Sequence, residues 1–156
     1  MKFTSLETKN CILKKFKISD VNKVYFDWLK DKENSKYLTN YQFKNILELK
    51  RYVLKNFLNQ KSLFLKILTK DFVHIGNLRI HDINKKKNSA FLGIIVGDKK
   101  QKNKGIAQEV IHHISKFLFA KYKISKIYLG VDRKNKSAVN AYLKSGFIFY
   151  KKKKNL

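Results

Sequence analysis

The chain has 156 residues, of which 44% are hydrophobic, and carries a formal net charge of +25; this composition builds one domain with a real core and excludes a disordered basic tail. Cys11 is the single cysteine, which excludes a disulfide framework and a cysteine-rich zinc site. Arginine supplies only Arg51, Arg79 and Arg133 of the 36 basic residues, so the charge reads as a lysine-rich composition rather than the arginine-based recognition of nucleic acid, and no nucleic-acid partner is expected.

From the N-terminus, Met1 to Glu7 lacks the apolar core of a signal peptide. The longest apolar run, Phe91 to Val96, is too short to span a bilayer. A soluble, cytoplasmic protein without membrane partners is expected. Cys11 to Phe16 reads as a first strand. Ser19 or Asp20 then caps a helix whose stripe is Val21, Val24, Tyr25, Trp28 and Leu29. Glu33 to Phe43, polar and aromatic, reads as a loop, and a second helix starts near Asn45 with Ile46, Leu49, Val53, Phe57 and Leu58 on one side.

Ser62 to Leu68 and Val73 to Ile83 read as two strands joined by a turn at Lys70-Asp71. A second turn over 84–88 leads into a third strand, Ala90 to Val96, of the same meander. A long helix follows from about Gly105 to Tyr122, burying Ile106, Val110, Ile114, Phe117 and Leu118. Lys126 to Val131 is another strand, Lys136 to Lys144 a helix ended by Gly146, and Phe147 to Tyr150 a last strand. The predicted order is β-α-α-β-β-β-α-β-α-β, a mixed α/β domain over residues 1–156. His112-His113 lies mid-helix, where neighbours face different ways, so no metal site is expected.

The stretch from Gly97 to Glu109 carries the chemistry. A strand, a basic loop with Lys99, Lys100, Lys102 and Lys104, and a helix start with small residues at Gly105 and Ala107 make an anion cradle. Amides of a first helical turn lack intrahelical acceptors and point outward, toward a phosphate that small residues let approach. Downstream lies Asn135-x-Ser137-Ala138-x-x-Ala141-Tyr142-x-x-x-Gly146-Phe147.

Together, Lys102-x-x-Gly105-x-Ala107 and this second segment resemble the two cofactor elements of the GNAT superfamily of acetyl-CoA-dependent N-acetyltransferases. The resemblance covers essentially the whole chain. It implies a central, mostly antiparallel twisted sheet of six to seven strands with helices on both faces, and acetyl-CoA as cosubstrate without a metal. It further implies that Asn103, Lys104, Gly105, Ile106 and Ala107 hold the diphosphate, aided by Lys102. Backbone groups of Ile94, Ile95 and Val96 would pair with the pantetheine arm, and Asn135 would orient that arm or the amine. Lys102 stands where the family has Gln or Arg, and Asn103 where many relatives have glycine; asparagine tolerates a left-handed turn better than most residues.

Direct attack needs a neutral amine, and an alkylammonium with pKa near 10 loses about 4 kcal/mol to protonation at pH 7. A base should offset part of that cost, and an acid should protonate the leaving thiolate. The resemblance gives the acid role to Tyr142. For the base, many relatives carry a glutamate aligned with Phe91, which cannot serve; His81 is the leading substitute, followed by Asp82 and Glu33.

The pattern Tyr25-x-x-Trp28-Leu29-x-Asp31-x-Glu33 resembles the branch that holds ribosomal-protein N-terminal and bacterial amino-sugar acetyltransferases. Acceptor contacts are expected from Glu33, Tyr37, Tyr41 and Phe43, with Tyr25 and Trp28 as core anchors. The expected acceptor is a nucleotide-linked amino sugar of surface-glycan synthesis, whose diphosphate suits the positive field. A protein N-terminus or a polyamine is the alternative, the polyamine being repelled by +25 unless an acidic pocket intervenes; a non-catalytic basic module using the Lys151–Lys154 run is a third reading. A homodimer is a possible assembly.

Overall fold

A computed structural model describes residues 1–36 and 42–150. Six strands form one sheet in sequential order: β1 (Ser5–Glu7), β2 (Cys11–Lys15), β3 (Leu63–Thr69), β4 (His74–Asn84), β5 (Ser89–Val96) and β6 (Lys126–Leu129). All neighbours run antiparallel except β5 and β6, which are parallel. The helices are α1 (Lys23–Lys30), α2 (Lys32–Ser35), α3 (Ile46–Asn56), α4 (Ile106–Tyr122) and α5 (Lys136–Lys144).

Strand alternation sends successive side chains to opposite faces, and each face has its own core. On one, Ile106, Val110, Ile111, Ile114 and Leu118 of α4 pack on Leu13, Leu65, Ile67, Leu78, Ile80 and Leu92. On the other, Tyr25, Phe26, Trp28 and Leu29 of α1 and Leu49 and Val53 of α3 enclose Phe16, Phe57 and Phe64. Trp28 is 7% exposed and Tyr25 3%, so both are core anchors as expected.

Two predicted details differ. Asn22, not Ser19 or Asp20, caps α1 by accepting from Tyr25 N at 3.1 Å. Ser19 and Asp20 lie in a preceding 3-10 turn, where the Asp20 carboxylate is taken by Lys17 N and by Lys66 Nζ at 2.9 Å. The region read as a loop from Glu33 begins with a helical turn, α2, capped by Asp31.

The ends of the sheet are also redrawn. The N-terminal residues add β1, and Phe147–Tyr150 is not a strand. The turn after α5 explains this: Phe147 N bonds back to Tyr142 O at 3.1 Å, and Gly146 takes φ +95°. The chain therefore leaves the helix through a C-terminal turn, with Ile148 84% exposed and the Tyr150 ring 5.2 Å from Tyr128.

One irregularity sets up the site. The parallel ladder of β5 and β6 runs only from Ser89↔Lys126 to Leu92↔Leu129. β6 then stops, while β5 continues beside β4 as far as Gly76↔Val96. The edge of Gly93–Val96 on the β6 side therefore has no ladder partner among the described residues, which leaves an opening in the sheet.

Candidate cofactor and active site

Beyond Val96, at the end of this opening, β5 passes into the basic loop. Gly97 N and Asp98 N both bond Ile75 O, at 2.9 and 3.2 Å, anchoring the loop to β4. Gly97 lies against the indole of α1, where an added Cβ would stand 2.1 Å from Trp28 Cδ2. Asp98 accepts from Lys100 N at 2.9 Å and caps a 3-10 turn over Lys99–Gln101.

Two residues then take left-handed backbone, Asn103 at φ +61° and Gly105 at φ +77°. Asparagine thus does at 103 what glycine would do, as its tolerance of this region allows. Gly105 is the N-cap of α4 and supplies no side chain to the first turn. The first helical bond is Glu109 N to Gly105 O at 3.0 Å, so the amides of Ile106, Ala107 and Gln108 precede it and point outward. No atom lies within 4 Å of where a Cβ on Gly105 would be. Open space before unpaired amides and a 17-residue helix dipole fit a diphosphate.

The loop lysines are not all available. Lys99 Nζ pairs with Asp31 Oδ2 at 2.9 Å, and this pairing holds the Asp31 carboxyl below its ordinary range and the Lys99 ammonium above it. Lys102 Nζ donates to Asn34 Oδ1, while Asn34 Nδ2 donates to Gly97 O at 3.3 Å. Lys100 and Lys104 are exposed. Asp31 and Asn34 are partners that strand and motif reading missed, because they lie more than sixty residues from the loop they touch.

Along β5 the side chains alternate as core. Ile94 and Val96 pack toward α4, and Ile95 toward α1 and α3. Only their main chain faces the opening, which suits pairing with an extended arm. Tyr142 and Phe147 pack on the same core as Ile94 and Val96, their rings edge to face at 6.2 Å. Burial pushes the Tyr142 hydroxyl above its usual value, so it remains a proton donor at neutral pH. Asn135 caps α5 by accepting from Ala138 N at 3.2 Å, which fixes the helix that carries Tyr142.

His81 lies on the other face and one strand away from the opening. It pairs across the strands with Phe91, and the rings of His81, Phe91 and Tyr128 stack in a row at 5.8 and 5.2 Å. Its Nδ1 meets Asp82 Oδ2 at 3.1 Å. Burial, followed by the Arg79 charge, pushes its pKa down, so the ring is neutral at pH 7.

Of the expected acceptor residues, Glu33 is exposed on the first turn of α2, close enough to Lys99 to raise its pKa. Phe43 rests on Tyr52 of α3 at 5.1 Å. Tyr37 and Tyr41 lie outside the described residues. Polar residues at alternate positions of β4 form an unforeseen row on the α1 and α3 face: Asn77, Arg79 and His81. Arg79 lies over the Phe57 ring at 4.4 Å and donates to Asn56 O at 3.0 Å, and the buried Asn77 accepts from the half-buried His74 at 2.7 Å. Their period of two within an apolar strand was the signal available in the sequence. Among the described residues no group of His, Cys, Asp or Glu gathers for a metal ion, and no helix is long and apolar enough to cross a membrane.

The acetyltransferase (GNAT) domain family model matches residues 10–148. No curated protein matches the chain significantly. Among solved structures, the chain is similar to the spermidine N-acetyltransferase of Vibrio cholerae in complex with CoA and spermine, with 22% identity, a TM-score of 0.77, and coverage of 88% of this chain and 80% of that one. A dodecameric structure of the Vibrio cholerae spermidine N-acetyltransferase gives a TM-score of 0.70 at 21% identity, covering 88% and 79%. A domain from Methanocaldococcus jannaschii gives 0.76 at 15%, covering 94% and 93%. At these identities the likeness is one of fold. With the family model spanning nearly the whole chain, this protein belongs to the GNAT family of N-acetyltransferases, enzymes that draw their acetyl group from acetyl-CoA.

Proposed function

We propose that the chain moves the acetyl group of acetyl-CoA to a primary amine of a small polyamine by direct attack, with Tyr142 as the acid. The observation that carries the reading is the parting of β5 and β6 beyond Leu92 and Leu129, beside the uncapped start of α4. In this reading the amides of Ile106 to Gln108 hold the diphosphate, and the main chain of Ile94 to Val96 aligns the pantetheine arm. A main-chain amide near Ile95 faces the thioester carbonyl, where negative charge develops. The phenol of Tyr142, its pKa pushed up further by burial, supplies the thiolate's proton. The amine's proton leaves on the opposite face, toward neutral His81, through solvent over the edge of Phe91.

The acceptor class departs from the nucleotide-linked amino sugar expected from sequence. Two observations support the polyamine. Structural neighbours include an enzyme described with spermine. The overall +25 also fails to describe the acceptor side: residues 20–48, which carry α1, α2 and the first turn of α3, hold five carboxylates (Asp20, Asp27, Asp31, Glu33, Glu48) against five lysines (Lys23, Lys30, Lys32, Lys36, Lys44). Charges beyond roughly 8 Å are largely screened at physiological salt, so an approaching polycation responds to the carboxylates of this segment and their immediate partners rather than to the total of +25.

Initial rates of thiol release from acetyl-CoA test this, measured with spermidine and spermine, a nucleotide-linked amino sugar, and short peptides. Polyamine-dependent release above the hydrolytic background is the expected result. Turnover with the nucleotide sugar or the peptides alone would remove the polyamine assignment and leave the acetyltransferase standing.

A further inference from the structure

Lys102 differs from its neighbours in how it is held. An arginine presents a rigid planar fork, whereas a lysine ammonium sits on a flexible four-carbon stem that loses more freedom when fixed on a ligand. Within this loop, Lys99 is bonded to the Asp31 carboxylate, and its charge is compensated on the spot. Lys102 is bonded instead to a neutral amide oxygen, Asn34 Oδ1; the Asp31 carboxylate is near enough to feel its charge but gives its ion pair to Lys99. An ammonium has three donors, so this bond leaves two and removes none of the charge. The same Asn34 amide turns its Nδ2 to Gly97 O at 3.3 Å, at the root of the loop. Gly97 is in turn fixed by Ile75 O and by the Trp28 ring. One side chain of α2 thus spans both ends of the loop that leads to the cradle.

The geometry points to Asn34 as a positioning residue for acetyl-CoA, acting through Lys102: it pre-orients the ammonium as a fully charged donor to the diphosphate and braces the loop between Gly97 and Lys102. It makes up for the missing fork at position 102. Its neutrality matters, since a carboxylate there would satisfy Lys102 equally well but would cancel its charge and repel the phosphates. The inference rests on the family's use of acetyl-CoA and not on the identity of the amine, so the acceptor panel can fail without touching it.

Steady-state kinetics with two donors, acetyl-CoA and the phosphate-free donor acetylpantetheine, separate the possibilities, using whichever amine turns over. Asn34→Ala is expected to raise the KM for acetyl-CoA about three- to tenfold, the worth of one polar contact. Its kcat should stay within about twofold and its KM for acetylpantetheine should not change. Asn34→Asp keeps an acceptor for Lys102 and should raise the KM for acetyl-CoA at least as much, with partial recovery at high salt. In a Lys102→Arg background the effect of Asn34→Ala should shrink below about twofold, because the fork orients itself. Wild-type KM for acetyl-CoA in both Asn34 variants would overturn the proposal. So would an equal rise for both donors, which would mark a merely structural residue, or an undiminished effect of Asn34→Ala in the Lys102→Arg background. Thermal midpoints of the variants identify any that fail to fold, and Lys102→Gln, which cannot charge the site, then serves in place of the failed variant with the same expected split.

Discussion

Tyr142 is a phenol at neutral pH like any tyrosine, and its place against the core shared by α4 and β5, where a phenolate would be poorly solvated, pushes its deprotonation to still higher pH. Tyr142→Phe keeps the ring and its edge contact with Phe147 but removes the proton. It should lower kcat by about 100-fold or more with little change in coenzyme A affinity, read by thiol release and calorimetry; full activity would dismiss the acid. In the proposed reaction His81 stands on the opposite face of the sheet from Tyr142. Its pKa is lowered, so the neutral, proton-accepting form persists to a pH below its ordinary 6.5, and activity should fall only as pH drops through that lowered value. His81→Gln should cost about tenfold or less in kcat/KM, because Phe91 makes solvent the intermediary, and should erase that acidic limb. An unchanged pH–rate profile in the variant would discharge His81 from the role.

The elements that matter most are those whose joint packing places the loop. α1 sets its Trp28 ring on Gly97, so the start of the basic loop and α1 are one packed unit. In Gly97→Ala the new methyl would stand 2.1 Å from the indole, and either the ring or the loop must move. The expected loss of stability is about 1–3 kcal/mol, with a raised KM for acetyl-CoA. Gly93→Ala, where nothing lies within 4 Å of the added carbon, is the matching control for overpacking. A Gly97→Ala protein with wild-type melting temperature and KM would break this link. Elements with a long period were legible in advance: α4 and α5 were predicted to within a residue, because apolar positions recur over several turns and left-handed backbone ends both, at Lys123 and Gly146. The segment after Gly146 misled, since its apolar residues satisfy a strand pattern without finding a ladder.

Across the whole molecule, charge is uneven. The chain totals +25, yet the span from Asp20 to Glu48 sums to zero. A net charge is thus a poor guide to the acceptor, whose environment is set within one screening length. Periodicity by itself determined the mixed α/β order of elements, because repeats within single elements are local, and the segments around Gly105 and Tyr142 carried the resemblance to the family that the domain match shows. Only the tertiary structure decided that β6 ends before β5, that Asp31 and Asn34 reach the loop lysines, and that His81 stands behind Phe91. Each of those depends on which distant segments meet, and no spacing along the chain encodes the distance between side chains that packing alone brings together.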